Sequence, residues 1–490
     1  MVKPVSRRGF LAGAACSLAT GAMAEAPLTS MRPVARAAGE NAVRQMIMRS
    51  GLAGKVGFAI ADAATGEIVE AVLPDLAQPP ASVTKAFTAL YALETLGPTH
   101  RFETRLLGTG PVIDGILEGD LILAGGGDPN LVTDQLAELA TGLKETGLHE
   151  VRGDFLVWDE ALTNLAEIDA GQDDYVGYNP TVTGLNLNFN RVHFEWKKEG
   201  SDFATTMDAR SENFRPAVTS ARINIVDRAS PVFTYRDVGD VDQWTVARRA
   251  LNNGGSRWLP VRHPALYCAE VFATFARSHG IVLKRARSIA ELPNAHVLTT
   301  HQGVPMTQLM RGMLRFSTNI TAEAAGLAAT AARAGENRGL RTSALGMARW
   351  ATDRVGGIAP EFVDHSGLGD LSRVTAGDMV RFLLAKDVAT TLHPILRTLP
   401  LVDDNRQRIP NETALIRAKT GTLNFVTGLA GYLRSAKGRE YAFAYFAADL
   451  DARERGKLLG SENPPGSRSW NNAARSLQNR ILRHWALRAG

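Results

Sequence analysis

The strongest constraint on the fold is a change of character in the middle of the chain. From about residue 106 to about residue 285 the sequence has short strand candidates and turns rich in Gly and Asn, whereas helical segments and hairpins occupy both flanks. A single compact core stops growing at about 250–300 residues, and this chain has 490. We therefore expect a discontinuous domain from residues 40–105 and 286–490, with residues 106–285 inserted as one or two small β-rich domains.

The flanks predict two hairpins and several helices. Residues 56–61 and 67–72 surround a short turn, which indicates a β-hairpin. Pro79 and Pro80 then interrupt the chain, and the apolar spacing beyond them predicts a helix over residues 82–96. Further elements of the flanks are helices at 307–314, 321–332 and 343–354 and a second hairpin with strands at 425–433 and 441–447. In the intervening region we expect strands at 121–124, 155–158, 192–196 and 222–226 and a helix near 132–143.

The first 24 residues predict an export signal. They contain Lys3, Arg7 and Arg8 but no acidic residue, and residues 6–11 form a twin-arginine pattern. The uncharged run that follows is too short to span a membrane, which needs about 20 apolar residues. It ends in a small-x-small cleavage pattern before Glu25. We expect a bacterial protein exported by a twin-arginine signal at residues 1–24 to the periplasm.

The net charge and the cysteine content argue against a nucleic-acid partner, a disulfide and a cysteine nucleophile. The formal net charge is +5, and the export signal carries part of it, so the rest of the chain is nearly neutral and a nucleic-acid partner is not expected. Without the signal, Cys268 is the only cysteine, which excludes an intramolecular disulfide. Cys268 shares an apolar stripe with Val271, Phe272 and Phe275, and we expect it in the core rather than as a nucleophile.

Motifs for metal or phosphate binding are absent. The sequence has no His-Glu-x-x-His, and His296 and His301 are spaced so that they do not share one face of a helix. A Gly-x-Ser-x-Gly elbow is also missing. Gly-Gly-Gly-Asp at residues 125–128 has no Lys-Ser/Thr after it, so a turn is favoured over a phosphate cradle. We expect no metal ion and no cofactor.

One Ser-x-x-Lys occurs in the chain, Ser82-Val83-Thr84-Lys85, at the start of a predicted helix. Residues i and i+3 lie on the same face there, so Lys85 can reach the Ser82 hydroxyl. A helix N-terminus also offers free N–H groups to an oxyanion. Because a serine needs an activating base to attack a carbonyl, this pair is a candidate nucleophile and base. A solvated first turn is the alternative.

Two further polar motifs follow in a fixed order. Lys419-Thr420-Gly421-Thr422 lies on a predicted strand just before the second hairpin, where a cation and hydroxyls suit a substrate carboxylate and Gly421 allows close approach. Ser-x-Asn occurs four times, but only Ser317-Thr318-Asn319 lies between the other two motifs and at the start of a helical run.

In this order the motifs resemble those of the penicillin-binding proteins of the low-molecular-mass class C type, the serine D-Ala-D-Ala carboxypeptidases/endopeptidases of peptidase family S13. The resemblance covers most of residues 40–450 and includes Gly119–Pro129 and Asp364–Leu368. It implies an α/β fold, with a serine β-lactamase/transpeptidase-like domain whose antiparallel sheet is flanked by helices, interrupted by the β-rich insertion. Two departures are His365, where glycine is expected, and Thr318, where aspartate is common.

The resemblance also implies a mechanism. Ser82 would form an acyl-enzyme with the penultimate D-alanine of a peptidoglycan pentapeptide or cross-bridge, with Lys85 as general base. Ser317 would relay the proton to the leaving amine, and Asn319 would bind the substrate amide. The terminal carboxylate would be held by Lys419, Thr420 and Thr422 beside Gly421, and the backbone N–H groups of Ser82 and Thr422 would form the oxyanion hole. β-Lactam antibiotics would acylate Ser82 as covalent inhibitors.

Several alternatives stay open. A serine β-lactamase shares the three motifs, but Gly184–Asn188 lacks the glutamate of its Glu-x-x-Leu-Asn element, and the insertion also counts against it. A non-catalytic peptidoglycan-binding module would have lost one of the motifs. Residues 475–488 form an amphipathic arginine-rich segment that packs on the sheet or makes a peripheral membrane contact. The balance of carboxypeptidase and endopeptidase action and the oligomeric state are not readable from the sequence.

Overall fold

The structure is a computed structural model that describes residues 40–405, 407–410 and 413–487. The export signal predicted at residues 1–24 lies outside the described residues. The described residues from Val43 onward belong to one compact unit, and those before it belong to another.

Strands dominate the middle of the described residues, and helices follow one another between residues 306 and 392. The helices are α1 Glu40–Ser50, α2 Lys85–Leu96, α3 Thr133–Glu145, α4 Pro264–Ser278, α5 Met306–Phe316, α6 Asn319–Ala334, α7 Leu340–Val355, α8 Ala376–Leu384, α9 Val388–Leu392, α10 Leu450–Leu458 and α11 Ser467–Leu487. Short 3₁₀ turns occur at Ala81–Thr84 and Arg248–Ala250. The strands are β1 Lys55–Asp62, β2 Ile68–Val72, β3 Glu103–Gly108, β4 Val112–Ile113, β5 Ile116–Leu117, β6 Leu121–Gly125, β7 Glu150–Val151, β8 Phe155–Trp158, β9 Arg191–Glu199, β10 Asp202–Asp208, β11 Ala221–Val226, β12 Phe233–Asp237, β13 Asp242–Ala247, β14 Gly254–Pro260, β15 Arg287–Ser288, β16 His296–Gln302, β17 Arg397–Leu399, β18 Leu415–Leu423, β19 Val426–Arg434 and β20 Glu440–Ala448.

The central sheet joins strands from both flanks of the chain. Its order is β17-β18-β19-β20-β1-β2, and every neighbouring pair is antiparallel. The two predicted hairpins, β1–β2 and β19–β20, are therefore confirmed, and β1 pairs directly with β20. On one face of this sheet, α2, α6 and α8 bury a core that includes Phe87, Phe362 and Phe382. On the other face, α11 buries a second core.

The middle of the chain builds its own sheets and core. Strands β15-β8-β6-β3-β16 form one sheet, and β10-β9-β14 and β11-β13-β12 form two smaller ones. Their shared core contains Trp244, Phe272 and Cys268, which is fully buried as the sequence predicted. Strands β3 and β16 extend this structure beyond residues 106–285 on both sides. The division into domains at residues 105 and 286 stays a prediction.

Helix α11 packs on the central sheet with its apolar face. Leu477, Ile481 and Trp485 are buried there, and Tyr441 of β20 meets the Trp485 ring edge-on at 5.5 Å. The apolar face is thus occupied within the fold, and a peripheral membrane contact would have to use other residues. That contact stays a prediction. Among the described residues, no helix has both the length and the apolar character needed to cross a membrane.

The packing of α11 predicts a large loss of stability for Trp485→Ala. Truncation of a buried Trp lowers the free energy of unfolding by about 3–5 kcal/mol, because burial is lost and a cavity remains. Denaturant unfolding of the whole protein measures this change. Leu487→Ala is the matched control, since Leu487 lies on the same helix but is 59% exposed. Equal effects of the two substitutions would contradict this packing.

Candidate active site

The predicted nucleophile lies in a 3₁₀ turn that leads into α2. Ala81 has a left-handed backbone, with φ of 48°, and the turn Ala81–Thr84 precedes the first residue of α2, Lys85. In a 3₁₀ turn residues i and i+3 are eclipsed, so Ser82 and Lys85 lie directly above one another. The Lys85 Nζ atom is 3.1 Å from the Ser82 Oγ atom. The turn differs from the predicted α-helix but preserves the contact on which the hypothesis depends.

Lys85 is completely buried and has three polar partners. Besides Ser82, its Nζ atom donates to Asn319 Oδ1 at 2.7 Å and to the Ser366 carbonyl oxygen at 2.7 Å. Burial lowers the pKa of Lys85 to about 8, although attraction to Glu323 and Asp364 raises it in part. Burial disfavours the charged ammonium, so the neutral amine is populated close to neutral pH.

The second motif spans the junction between α5 and α6. Ser317 caps the end of α5 in a left-handed conformation, with φ of 60°, and Asn319 opens α6. Asn319 accepts from Lys85 and donates through Nδ2 to the Tyr178 carbonyl oxygen at 2.8 Å. Because a helix start fixes Asn319 and a helix end fixes Ser317, both side chains are held on rigid elements beside Ser82.

The third motif lies on β18, as predicted. The buried Lys419 Nζ atom donates to Ser317 Oγ at 2.9 Å and to the Thr420 carbonyl oxygen at 2.6 Å. Burial holds the pKa of Lys419 well below its usual value, and the nearby charges of Lys85 and Arg397 lower it further. The two lysines therefore reach two adjacent hydroxyls from different sides, Lys85 to Ser82 and Lys419 to Ser317.

Strand β18 passes close to the turn that carries Ser82. A Cβ atom added to Gly421 would lie 2.7 Å from the Pro80 oxygen and 3.2 Å from the Ser82 nitrogen. Glycine thus permits the close backbone approach that the sequence predicted. Thr420 and Thr422 are both exposed, but only Thr422 contributes to the wall of the cleft above Ser82. Thr420 lies on the same exposed face of β18 as Thr422, and its part in binding the carboxylate stays a prediction.

These residues meet at an open cleft with a volume of about 620 Å³. Lys85 and Lys419 lie beneath its floor, and the hydroxyls that they contact line it. Arg475 of α11 donates to Thr422 Oγ1 at 3.1 Å and adds a positive charge to the wall. The residues of the wall that bear on the chemistry are Ser82, Ser317, Asn319, Thr422, Arg453 and Arg475.

Two buried acidic side chains, Glu323 and Asp364, lie near Lys85, and the sequence analysis gave neither of them a role. Glu323 accepts from the backbone N–H groups of His365 and Ser366, both at 2.9 Å. Asp364 accepts from the N–H groups of Gly367 and Gly369 at 2.6 and 2.5 Å. Burial raises the pKa of Glu323 to about 8, and it also raises the pKa of Asp364. A signal for Glu323 exists in the sequence, because it is the one acid in a helix of small and apolar residues.

His365, the departure from the expected glycine, is buried beside Gly326. Its Nε2 atom is 2.7 Å from Ser343 Oγ, and burial lowers its pKa to about 3, so the ring is neutral. It does not approach the cleft, because its ring points into the packing between α6 and α7. In the part of the chain that the structure describes, no group of His, Cys, Asp and Glu side chains could hold a metal ion.

The chain belongs to the D-Ala-D-Ala carboxypeptidase 3 (S13) family, whose model matches residues 40–458. It is therefore an enzyme of the serine-type peptidases, and the recognition made from its motifs is confirmed. The three motifs, Glu323 and Asp364 all lie within the matched range.

Similar proteins agree with this assignment. The chain is 27% identical over 423 residues to a D-alanyl-D-alanine carboxypeptidase of Actinomadura sp. (strain R39), covering 79% of this chain and 76% of that one. It is 26% identical over 418 residues to D-alanyl-D-alanine carboxypeptidase DacB of Haemophilus influenzae, covering 76% and 82%. The crystal structure of penicillin binding protein 4 (dacB) from Haemophilus influenzae superposes with a TM-score of 0.70 at 21% identity, over 90% of this chain and 99% of that chain. The predicted transpeptidase-like fold class is confirmed.

The packing of His365 predicts that Gly326→Ala is strongly destabilising. The added Cβ atom would lie 2.2 Å from Cγ of the His365 ring, and overpacking typically lowers stability by about 1–3 kcal/mol. His365→Ala removes the obstacle, so the double variant should be no less stable than His365→Ala alone. Thermal unfolding of the three variants measures the coupling. Additive losses would show that the two residues do not meet.

Proposed function

We propose that this enzyme cleaves peptidoglycan stem peptides after the penultimate D-alanine through an acyl-enzyme on Ser82. The observation that carries the proposal is the pair of lysine–hydroxyl contacts at one cleft, Lys85 with Ser82 and Lys419 with Ser317. In this arrangement Ser82 is the nucleophile with Lys85 as its base, and the Ser317 hydroxyl is bound to the Lys419 side chain. Substrates of this class carry D-Ala-D-Ala at the end of a pentapeptide, or a D-alanine joined to the amine of a second stem peptide at a cross-bridge.

Lys85 has the environment that a general base requires. A neutral amine has two N–H donors and one lone pair, and Asn319 Oδ1 and the Ser366 carbonyl can only accept hydrogen bonds. Both N–H groups are satisfied by those two acceptors, which leaves the lone pair for the Ser82 proton. The lowered pKa of Lys85 makes this form available without any movement of the side chain.

Ser317 is placed to pass the proton onward. Its hydroxyl accepts from the Lys419 ammonium, which leaves its own proton free to be given to a leaving amine. After Ser82 attacks, the amine of the terminal D-alanine takes the Ser317 proton as its bond to the carbonyl breaks, and Ser317 is reprotonated with the proton that Lys85 took from Ser82. Water then attacks the acyl-enzyme and releases the shortened peptide.

The terminal carboxylate belongs at the wall formed by β18 and α11. Thr422 lines the cleft there with Arg475 bonded to its hydroxyl, and Lys419 lies beneath. The backbone N–H groups of Ser82 and Thr422 are the proposed oxyanion donors, since Gly421 lets the two backbones approach closely. Loss of one such donor typically slows a reaction about 10²–10³-fold. Thr420 takes part through its carbonyl oxygen, which holds the Lys419 ammonium.

Penicillin presents the same pattern of a strained amide carbonyl and a neighbouring carboxylate. We propose that β-lactam antibiotics acylate Ser82 as they would the peptide, and that the adduct is long-lived. The substrate is a component of the cell wall, and the protein is proposed to reach the periplasm by the twin-arginine signal at residues 1–24. The support for this location is the sequence pattern together with the substrate class.

We expect Ser82→Ala to abolish covalent labelling by fluorescent penicillin, because the acylated oxygen is removed. Ser469→Ala serves as the control, since Ser469 begins another Ser-x-Asn, is exposed and lies outside the proposed machinery. Its labelling should equal that of the wild type. Labelling of Ser82→Ala at the wild-type level would refute the assignment of the nucleophile.

The same variants test the substrate. Wild-type protein incubated with a pentapeptide and with a cross-linked muropeptide should release D-alanine or divide the cross-bridge, as identified by mass, and Ser82→Ala should do neither. The ratio of the two products measures the balance of carboxypeptidase and endopeptidase action. Wild-type labelling without either product would support a binding module or a β-lactamase instead.

We expect Lys419→Ala to slow acylation about ten- to a hundredfold with little loss of folded protein. A hydrogen bond to a charged group is worth about 1.5–3 kcal/mol, and each 1.36 kcal/mol is tenfold in rate. Stopped-flow acylation and thermal unfolding separate the two effects. Lys437→Ala, at the exposed turn between β19 and β20, is the control. Wild-type acylation by Lys419→Ala would remove its role.

A further inference from the structure

The feature that leads beyond the three motifs is the carboxylate of Glu323. It projects from α6, is fully buried, and makes no contact with the cleft. Its two oxygens accept from consecutive backbone N–H groups, Oε2 from His365 and Oε1 from Ser366, each at 2.9 Å. A carboxylate that accepts from two adjacent peptides fixes the orientation of that backbone, because both bonds must be kept at once.

The backbone that Glu323 holds is the one that contacts Lys85. The Ser366 carbonyl oxygen accepts from Lys85 Nζ at 2.7 Å, and the His365 carbonyl oxygen accepts from Thr88 Oγ1 at 2.5 Å, one helical turn along α2. Consecutive carbonyls thus face α2 while the N–H groups of the same two residues face α6. The segment is a bridge between the helix that carries the base and the helix that carries Asn319.

This bridge decides where the Lys85 lone pair points. If the Ser366 oxygen moved away, one N–H group of the neutral amine would lose its acceptor, and the amine could rotate away from the Ser82 proton. A shift of about 1 Å in a reacting group can lower a rate about a hundredfold. The position of the Ser366 oxygen therefore helps to orient Lys85 as a general base.

We propose that Glu323 is a positioning residue for acylation, which holds the His365–Ser366 backbone against Lys85 and sets the pH range in which Lys85 is neutral. This role presupposes the proposed function, since it concerns the base that activates Ser82. Nothing in the Ser-x-x-Lys, Ser-x-Asn and Lys-Thr-Gly motifs assigns it.

The charges around Lys85 fix the sign of the pH effect. Glu323 from α6 and Asp364 from the neighbouring loop raise the pKa of Lys85, whereas Lys419 from β18 is a like charge. His365 is neutral, and Asp169 acts on Asp364 from the cleft side. Burial raises the pKa of Glu323 as well, while its two N–H donors and Lys85 favour the carboxylate form. Where Glu323 is ionised, removal of its charge lowers the pKa of Lys85, because the attraction that raises it is lost. Acylation requires neutral Lys85, so its rate rises with pH through that pKa, and the rise should move to lower pH.

The test compares Glu323→Gln with Glu323→Asp in the full-length protein. Glutamine removes the charge and turns an N–H₂ group toward a backbone N–H, so both the pH range and the backbone contact change. Aspartate keeps the charge but is one methylene shorter and cannot reach both N–H groups. Glu336→Gln, the same substitution at an exposed position beyond the end of α6, is the control. Acylation by fluorescent penicillin is followed from pH 5 to pH 10.

For Glu323→Gln we expect the acid limb of the pH–rate profile to move toward acid by up to about one unit, because Glu323 is ionised over only part of that limb. The maximal rate should fall about tenfold or more. For Glu323→Asp the limb should stay near its wild-type position while the maximal rate falls. The position of the limb does not depend on how much protein is folded, so simple destabilisation cannot imitate the shift.

The outcomes separate this role from the proposed function. If wild-type protein is not acylated at Ser82, the proposed function fails. If wild-type protein is acylated and Glu323→Gln has an unchanged limb, or Glu323→Asp reacts at the wild-type maximal rate, the role of Glu323 is overturned. Should Glu323→Gln not fold, the maximal rate of Glu323→Asp per labelled site still decides the positioning role.

Discussion

The chemistry of this enzyme depends on one buried amine. Lys85 lies at the start of a helix in the main core, without exposed surface, and two of its three polar partners, Asn319 and Ser366, come from distant parts of the chain. A buried ammonium is unfavourable unless it is paired, and a buried neutral amine still needs acceptors for its N–H groups. The 3₁₀ turn, the start of α6 and the loop after Asp364 are each arranged to supply one of them.

The central sheet makes this arrangement possible. It places β18 beside the turn of Ser82 and supports α2 and α6 on one face, so the second lysine reaches Ser317 from the strand while the first reaches Ser82 from the helix. A positive charge on Lys85 lowers the proton affinity of the buried Lys419. The sheet thus positions the two lysines relative to the serines and keeps their charges close to each other.

The predicted site residues that have local patterns could be located from the sequence, and their roles stay predictions. Ser82 and Lys85 are three residues apart, β18 precedes a clear hairpin, and Asn319 begins a helical run, so each could be located from its neighbourhood. Glu323 could not be assigned, because its partners are backbone groups 42 and 43 residues away that carry no side-chain signature. The contact of Asn319 with the Tyr178 carbonyl was hidden for the same reason.

The pairing of β1 with β20 determines when the active site can assemble during synthesis of the chain. The nucleophile is made early in synthesis, but Asn319 lies 234 residues beyond Lys85, and Lys419 another 102 beyond Ser317. The sheet that brings them together closes only when the last hairpin meets the first. A nascent or truncated chain therefore carries Ser82 and Lys85 without Asn319 and Lys419, and the cleft is complete only after β20 has paired with β1.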